Sequence, residues 1–358
     1  MIADMHESPI NPQHRGRGAH MSNVHGWNMP HSFSSLHEEH TACRTACGIF
    51  DISHMGKFHI GGSGALEWIE SVLSNTATDC PDGCGQTSFL LRENGSVMDR
   101  LLLFRENDHS LYLLGHAARA DCTFACLLYL ATGSALQLQD MTRRRSGMAL
   151  SGPDAERIIR RVLPGVSLPG DMEIRHLKSG GDEVIITHAG IIGGSSYEIW
   201  VPSASGIRYY EQFISLGAVP CGTATQDYLR HEAGIADAEL DLRQGRTPIQ
   251  AGLGCYCSPH KDYPGAERLR LQRLQAPLLR LVSMECKARY RVPLGGDSVT
   301  DGAGLIVGSI TSASYTPDAK GHLALAYLLR RLCSPGSKLY VLMQGHSIPA
   351  VVRQQTIR

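Results

Sequence analysis

Apolar and polar positions divide the 358-residue chain into a long mixed region and a shorter β-rich tail. Residues 1–7 are polar and read as a loose tail. Gly26-Trp27 and Met29-Pro30 mark a turn carrying an exposed aromatic, as at a pocket mouth; an aromatic plug over the core is the other reading of Trp27. Ser34-Ser35 followed by Glu38-Glu39 is a helix start running to about Cys47, ended by Gly48. Residues 49–60 alternate as a strand, and 64–73 set their apolar side chains on one helical face. Further strands are predicted at 110–114, 148–151, 183–187 and 197–202. Helices are predicted at 119–130, 154–162, 206–214 and 226–235, the last closed by Gly234, with another starting near Ala266. A Gly/Ser loop spans 190–196.

Gly95-Ser96 turns into Val97-Met98-Asp99-Arg100-Leu101-Leu102-Leu103-Phe104, a buried strand with one acid near its start. Desolvating an unpaired carboxylate is costly, so Asp99 either pairs with a neighbour at the strand edge or binds something else. Arg100 is a poor partner, because adjacent strand residues point to opposite faces. The strand alone leaves both readings open. Past about Ala276 the texture changes to short alternating strands at 279–284, 305–310, 323–328 and 338–343, separated by Gly/Pro/Asp turns. That is the pattern of a small antiparallel barrel or sandwich, with a domain boundary near 276.

Composition narrows the function. Lys+Arg and Asp+Glu both number 34, so no bulk field draws nucleic acid or anionic lipid. No apolar run approaches the roughly 18 residues of a membrane span. The first 17 residues, polar with several His and Pro, resemble neither a signal nor a transit peptide. The 11 cysteines, an odd number scattered along the chain, argue for free thiols in a reducing compartment. Cys43/Cys47, Cys80/Cys84 and Cys122/Cys126 share a spacing that aligns two thiols on a helix face, which admits a metal or redox site. Without the tight knuckle of common zinc sites, core filling is the favoured reading. Arg268, Arg270, Arg273 and Arg280 form a basic stretch, either a solvated face or a surface meeting an acidic partner.

Several words in register carry a resemblance: Gly26-Trp27…Pro30, Phe50-Asp51-Ile52-Ser53-His54-Met55, Val97-Met98-Asp99, Ser151-Gly152-Pro153, Tyr197-Glu198-Ile199, Leu229-Arg230…Glu232-Ala233-Gly234, Lys261-Asp262-Tyr263…Gly265 and Thr311-Ser312…Pro317. From Ser8 to about Val352 the chain resembles the aminomethyltransferase family, the T-protein of the glycine cleavage system and its folate-dependent relatives. The resemblance implies an α+β fold, a three-domain cloverleaf of two interleaved α/β folate-binding domains plus a C-terminal antiparallel β-barrel. The folate-binding region then covers 1–275, with subdomains of approximately 1–51 with 140–240 and 52–139 with 241–275, and the barrel covers 276–358.

The activity so implied moves the methylene of aminomethyl-lipoate on H-protein to tetrahydrofolate held in the central hole, releasing ammonia. The family's essential aspartate falls on Asp99 and its pterin-reading glutamate on Glu198. Met55, Thr87, His116, Gln226 and Trp27 complete the implied folate site, with no metal. A cytoplasmic monomer that uses lipoylated H-protein and folate follows from the same resemblance. Both acids make chemical sense, since a carboxylate accepts the pterin ring N–H and amino group at two points and polarises an attacking N–H.

The chain also departs from the family pattern. Thr87 stands where relatives carry Tyr, and His116 or Gly115 replaces a pocket Asn. Ile191-Ile192-Gly193-Gly194 replaces Tyr-Thr-Gly-Glu, Gln226 replaces a folate-contacting Arg, and Arg100 replaces a second acid. The aromatic tail that closes the family's chains is missing as well. Lost charge and stacking area imply altered or weaker folate binding. Two further readings therefore stand beside the first: a folate-dependent demethylase or other one-carbon transferase with a different donor, and a non-catalytic folate-binding accessory protein. Gly254-Cys255-Tyr256 echoes the accessory motif but lacks its Lys and Gln-Glu.

Overall fold

A computed structural model describes residues 5–243, 245–287, 291–317, 321–354 and 357. The chain divides into two compact units. The first comprises Met1–Val72, Thr76–Ser88 and Arg100–Gln226; the second comprises Leu73–Asn75, Phe89–Asp99 and Asp227–Arg358.

In the first unit, a six-stranded sheet runs in the order Ile174–Ser179, Asp182–His188, Ser196–Pro202, Arg145–Ser151, Gly48–Asp51 and Val219–Pro220. Strand alternation gives this sheet two apolar faces. Met148, Leu150, Val184, Ile186, Ile199 and Val201 pack against helices Ala155–Val162 and Gly206–Ser215. On the opposite face, Ile185 and Trp200 meet Phe104, Tyr112 and Leu114, which come from Val97–Asn107 and Ser110–Gly115 of a five-stranded sheet. Glu198 is two residues before Trp200, and Thr187 is two after Ile185, so both belong to this second face.

Helix Leu36–Thr45 starts at a full capping box: the Ser35 side chain accepts from Glu38 N–H while the Glu38 carboxylate accepts from Ser35 N–H. The stretch predicted as one strand over 49–60 is two strands in different sheets, Gly48–Asp51 and Gly56–Gly61, broken by a buried turn. The loose tail predicted for residues 1–7 ends in a short strand. His6 and Glu7 pair in parallel with Trp27 and Asn28, and residues 1–4 lie outside those described. Trp27 heads strand Trp27–Ser32 and is only 7% exposed, so the exposed aromatic is instead a plug, packed against the His6 ring at 5.3 Å.

The second unit holds the closed barrel, ordered Leu279–Cys286, His322–Leu329, Ile306–Tyr315, Ser298–Thr300, Lys338–Met343 and His346–Val352. Met284, Val299, Ile310, Ala326 and Val341 fill its interior. Arg270 and Arg273, predicted as part of a solvated or partner-facing stretch, donate to backbone carbonyls of Pro259, Lys261, Gly254 and Cys257 and pin that loop to helix Ala266–Leu274.

Candidate active site

Glu198 is fully buried on the central strand Ser196–Pro202, where Thr187 is its cross-strand neighbour on one side and Ala149 on the other. Its Oε2 accepts from Thr187 Oγ1 at 2.8 Å and Ala189 N–H at 3.0 Å. Its Oε1 accepts from Ser196 Oγ at 2.7 Å and Ile191 N–H at 3.3 Å. All four donors are neutral. Burial dominates them and pushes the Glu198 carboxyl up to about 7, with the hydroxyls and amides pulling the other way. Thr187, Ser196 and the two amides escaped the sequence reading. Thr187 was within reach of it, because hairpin register places it opposite Glu198, whereas backbone donors leave no mark on residue type.

Met55 joins this neighbourhood. With Ala189 and Ile191 it packs against the cluster of Phe104, Tyr112, Ile185 and Trp200. Met55 sits on the turn between Asp51 and Lys57, which is braced from within. Lys57 Nζ is buried and donates to the carbonyls of Met55 at 2.9 Å, Ser53 at 3.0 Å and Ile52 at 3.4 Å. Burial lowers the Lys57 ammonium to about 7. Asp51 accepts from Ser8 Oγ and from Ser53 N–H, and His14 Nε2 lies 2.9 Å from its Oδ2. Burial alone would raise Asp51, but these partners hold it at about 2. His54, on the same turn, is driven down to about 3 by burial and is therefore a neutral imidazole near pH 7.

His116 caps a short helical turn by accepting Ala118 N–H on Nδ1, and its ring lies 5.0 Å from that of His25, two residues before Trp27. Positive charge on His25 or His116 would also disfavour protonation of His54. The Trp27 hairpin, the Met55 turn and His116 are thus neighbours. Thr87 is buried on strand Cys84–Leu91, and Gln226 lies half-buried on helix Thr223–Ala233. Asp99 is fully buried on the alternating strand Val97–Asn107, in register with buried Val97, Leu101 and Leu103. It belongs to the second unit, whereas Glu198, Met55, Thr87, His116, Gln226 and Trp27 belong to the first.

Among the described residues, no group of three or more His, Cys, Asp or Glu is arranged to hold a metal ion. All eleven cysteines are free. Cys43 and Cys47 are buried on or just past helix Leu36–Thr45, Cys80 and Cys84 do not share a helix, and on helix Ala120–Leu130 Cys122 is exposed and Cys126 half-buried. Among the described residues, no helix is long and apolar enough to cross a membrane.

Comparison with known proteins gives this geometry a context. The family model described as the GCVT N-terminal domain matches residues 10–261, and that of the glycine cleavage T-protein C-terminal barrel domain matches 280–357. Proteins named aminomethyltransferase from Symbiobacterium thermophilum and Chlorobium phaeovibrioides are each 30% identical, covering 98% of this chain and 97% and 98% of theirs. The crystal structure of glycine cleavage system aminomethyltransferase T from Bartonella henselae superimposes with a TM-score of 0.89 at 26% identity, over 99% of this chain and 100% of the other. Both family models lie end to end along one chain that also shares the solved fold, so this chain belongs to the glycine cleavage T-protein family of aminomethyltransferases.

Proposed function

We propose that this protein is a tetrahydrofolate-dependent aminomethyltransferase of the glycine cleavage system. It takes the methylene of an aminomethyl group carried on the lipoyl arm of H-protein, passes it to tetrahydrofolate, and releases ammonia and the reduced lipoyl dithiol. The observation that carries this reading is Glu198: a buried carboxyl served only by neutral donors, beside an apolar cluster that includes Met55, Ile191 and Trp200. An acid able to accept two parallel N–H groups, set against flat apolar side chains, suits the amino and ring N–H edge of a pterin.

In this reading Glu198 orients the pterin and Met55 packs against it, while Thr87, His116, Gln226 and Trp27 shape the rest of the folate site. Asp99 is the catalytic residue. Its carboxylate polarises the N–H of the attacking nitrogen and offsets positive charge developing on the carbon in transit, worth about 10²–10⁴ in rate. Tetrahydrofolate supplies the nucleophilic nitrogen. The division into a folate-binding region over 1–275 and a barrel domain over 276–358, a monomeric state and a cytoplasmic location, where the free thiols stay reduced, belong to the same proposal.

The test uses the full chain with H-protein bearing the aminomethyl-lipoyl group and tetrahydrofolate. Ammonia should form at a rate that falls by about 10²–10⁴ in Asp99→Asn, whose urea midpoint should stay close to that of the parent. No ammonia from the unmodified protein overturns the proposal.

A further inference from the structure

The hairpin that carries Glu198 also carries a stand-in for what Glu198 is proposed to bind. Between strands Asp182–His188 and Ser196–Pro202 the chain doubles back on itself. Gly190, Gly193 and Gly194 all have left-handed φ, at 63°, 89° and 96°, and Gly193 N–H donates to Gly190 O at 3.1 Å. A Cβ on Gly190 would lie 2.4 Å from Gly194 O, so only glycine closes this turn. At its foot, the His188 ring stacks on Tyr197 at 4.3 Å, and its Nε2 lies 2.8 Å from Ser195 Oγ.

The consequence falls on Glu198. The closed turn aims two backbone N–H groups inward, Ala189 at Oε2 and Ile191 at Oε1, one donor to each oxygen. A ring N–H beside an amino group offers a carboxylate this same pattern. Thr187 and Ser196 hydroxyls take the remaining acceptor positions, so the roughly four lone-pair sites of the carboxylate are filled. Glu198 has no exposed surface. A ligand cannot touch it while the turn is closed. The weakest link is the Ile191 N–H at 3.3 Å, and it lies in the glycine-rich half of the loop.

We propose that the Ala189–Gly194 turn is a self-occupying lid that determines the affinity and selectivity of the Glu198 site: its two amides hold the acceptor positions until a ligand with a matching pair of N–H donors displaces them. This rests on Glu198 being the pterin acceptor. Apparent affinity is then the intrinsic affinity reduced by the fraction of molecules with the turn open. Ligands offering one donor, or none, cannot replace what they displace and are rejected, because the buried carboxylate would be left short of partners.

The experiment titrates tetrahydrofolate calorimetrically into the parent protein, Glu198→Gln and Gly190→Ala, and follows hydrogen exchange at the Ala189 and Ile191 amides with and without ligand. Glu198→Gln should weaken binding about tenfold or more. Gly190→Ala, which cannot close the turn, should tighten it about three- to tenfold. In the parent, both amides should be protected without ligand and lose that protection when tetrahydrofolate binds. Unchanged affinity in Glu198→Gln removes the pterin-acceptor reading and the lid with it. Weakened Glu198→Gln binding together with unchanged or weaker Gly190→Ala binding overturns the lid alone. Should Gly190→Ala be misfolded, shown by exchange across the whole sheet, the parent decides: amides that stay protected with ligand bound overturn the lid.

Discussion

Arg230 Nη1 lies 3.1 Å from Asp241 Oδ2 in the interior of the second unit, with both side chains buried. The arginine also donates from Nε to Asp227 and from Nη1 to Ile235 O. The free oxygen of Asp241 accepts two hydroxyls from consecutive barrel residues, Thr311 and Ser312. Consecutive strand residues ordinarily face opposite ways. Here the pairing register shifts between Ile310 and Ser312, and the bulge turns both hydroxyls to one acid. Helix Thr223–Ala233 is thereby tied to the barrel, with a second tie from His231 Nε2 to Ser312 Oγ at 2.9 Å.

This pair predicts an asymmetric double-mutant cycle. Arg230→Met leaves Asp241 buried without its cation and should cost about 3–5 kcal/mol in urea unfolding. Arg230→Met combined with Asp241→Leu removes both charges and should cost clearly less than the two single changes added together. Additive losses would show that the two side chains act independently.

Thiol reactivity should divide by burial. Burial raises Cys47, Cys257 and Cys286 to about 12 and Cys80 to about 11, and Cys43 and Cys221, 3.9 Å apart at Sγ, are enclosed together. Only Cys122 and Cys255 are exposed. Ellman's reagent should therefore label these two promptly in the folded protein and reach the buried thiols only with unfolding. Fast labelling of Cys43 or Cys221, read by peptide mapping, would contradict the packing around Gly48, where a Cβ would already lie 2.4 Å from Cys43 Sγ.

Asp51 should govern part of the acid limb. Its folded pKa, about 2, is below its ordinary value of 3.8, so its stabilisation is present above pH 4 and lost as pH falls toward 2. The difference amounts to about 2 kcal/mol. Asp51→Asn should be less stable at pH 6 and should lose less further stability between pH 4 and 2, as followed by urea midpoints. An acid limb as steep as the parent's would mean that other carboxylates carry it.

Much of this was readable in the sequence where local chemistry decides the outcome. The Ser35…Glu38 box gave the helix start, and alternation gave four barrel strands. Ser298–Thr300 and His346–Val352, which close the barrel, were missed because the first is three residues long and the second contains Pro349, a strand breaker by propensity. The strand break at 52–55 was missed because Asp51, Ser53, Lys57 and His59 mimic polar alternation. What bends the chain there is Lys57 reaching three carbonyls, a tertiary contact. Asp99 stood out as a lone acid in an apolar strand and Glu198 through the family resemblance, while of the two readings of Trp27 the plug holds, because strand pairing with His6–Glu7 brings the His6 ring against it. The donors that fill Glu198 are largely backbone, and no residue type announces them.

Two buried groups shifted in opposite senses should divide the neutral and alkaline range between them. Glu198 is raised by burial to about 7 from 4.5, so the folded state binds more protons than the unfolded between those values, and stability falls as pH rises from 5 to 7. Lys57 is lowered by burial to about 7 from 10.5, so the unfolded state binds more protons above 7, and stability rises from 7 to 10. Each contribution is on the order of 3–5 kcal/mol. His54, lowered to about 3, adds stability as pH rises toward 6.5 and so opposes Glu198 in the parent's own profile. The informative quantity is therefore the difference between parent and variant. Urea midpoints at pH 5, 7 and 9 should show Glu198→Gln gaining on the parent between pH 5 and 7, and Lys57→Met falling behind it between pH 7 and 9. If either difference stays flat across its interval, that group keeps its ordinary pKa in the fold, its hydrogen-bond partners having offset the whole cost of burial.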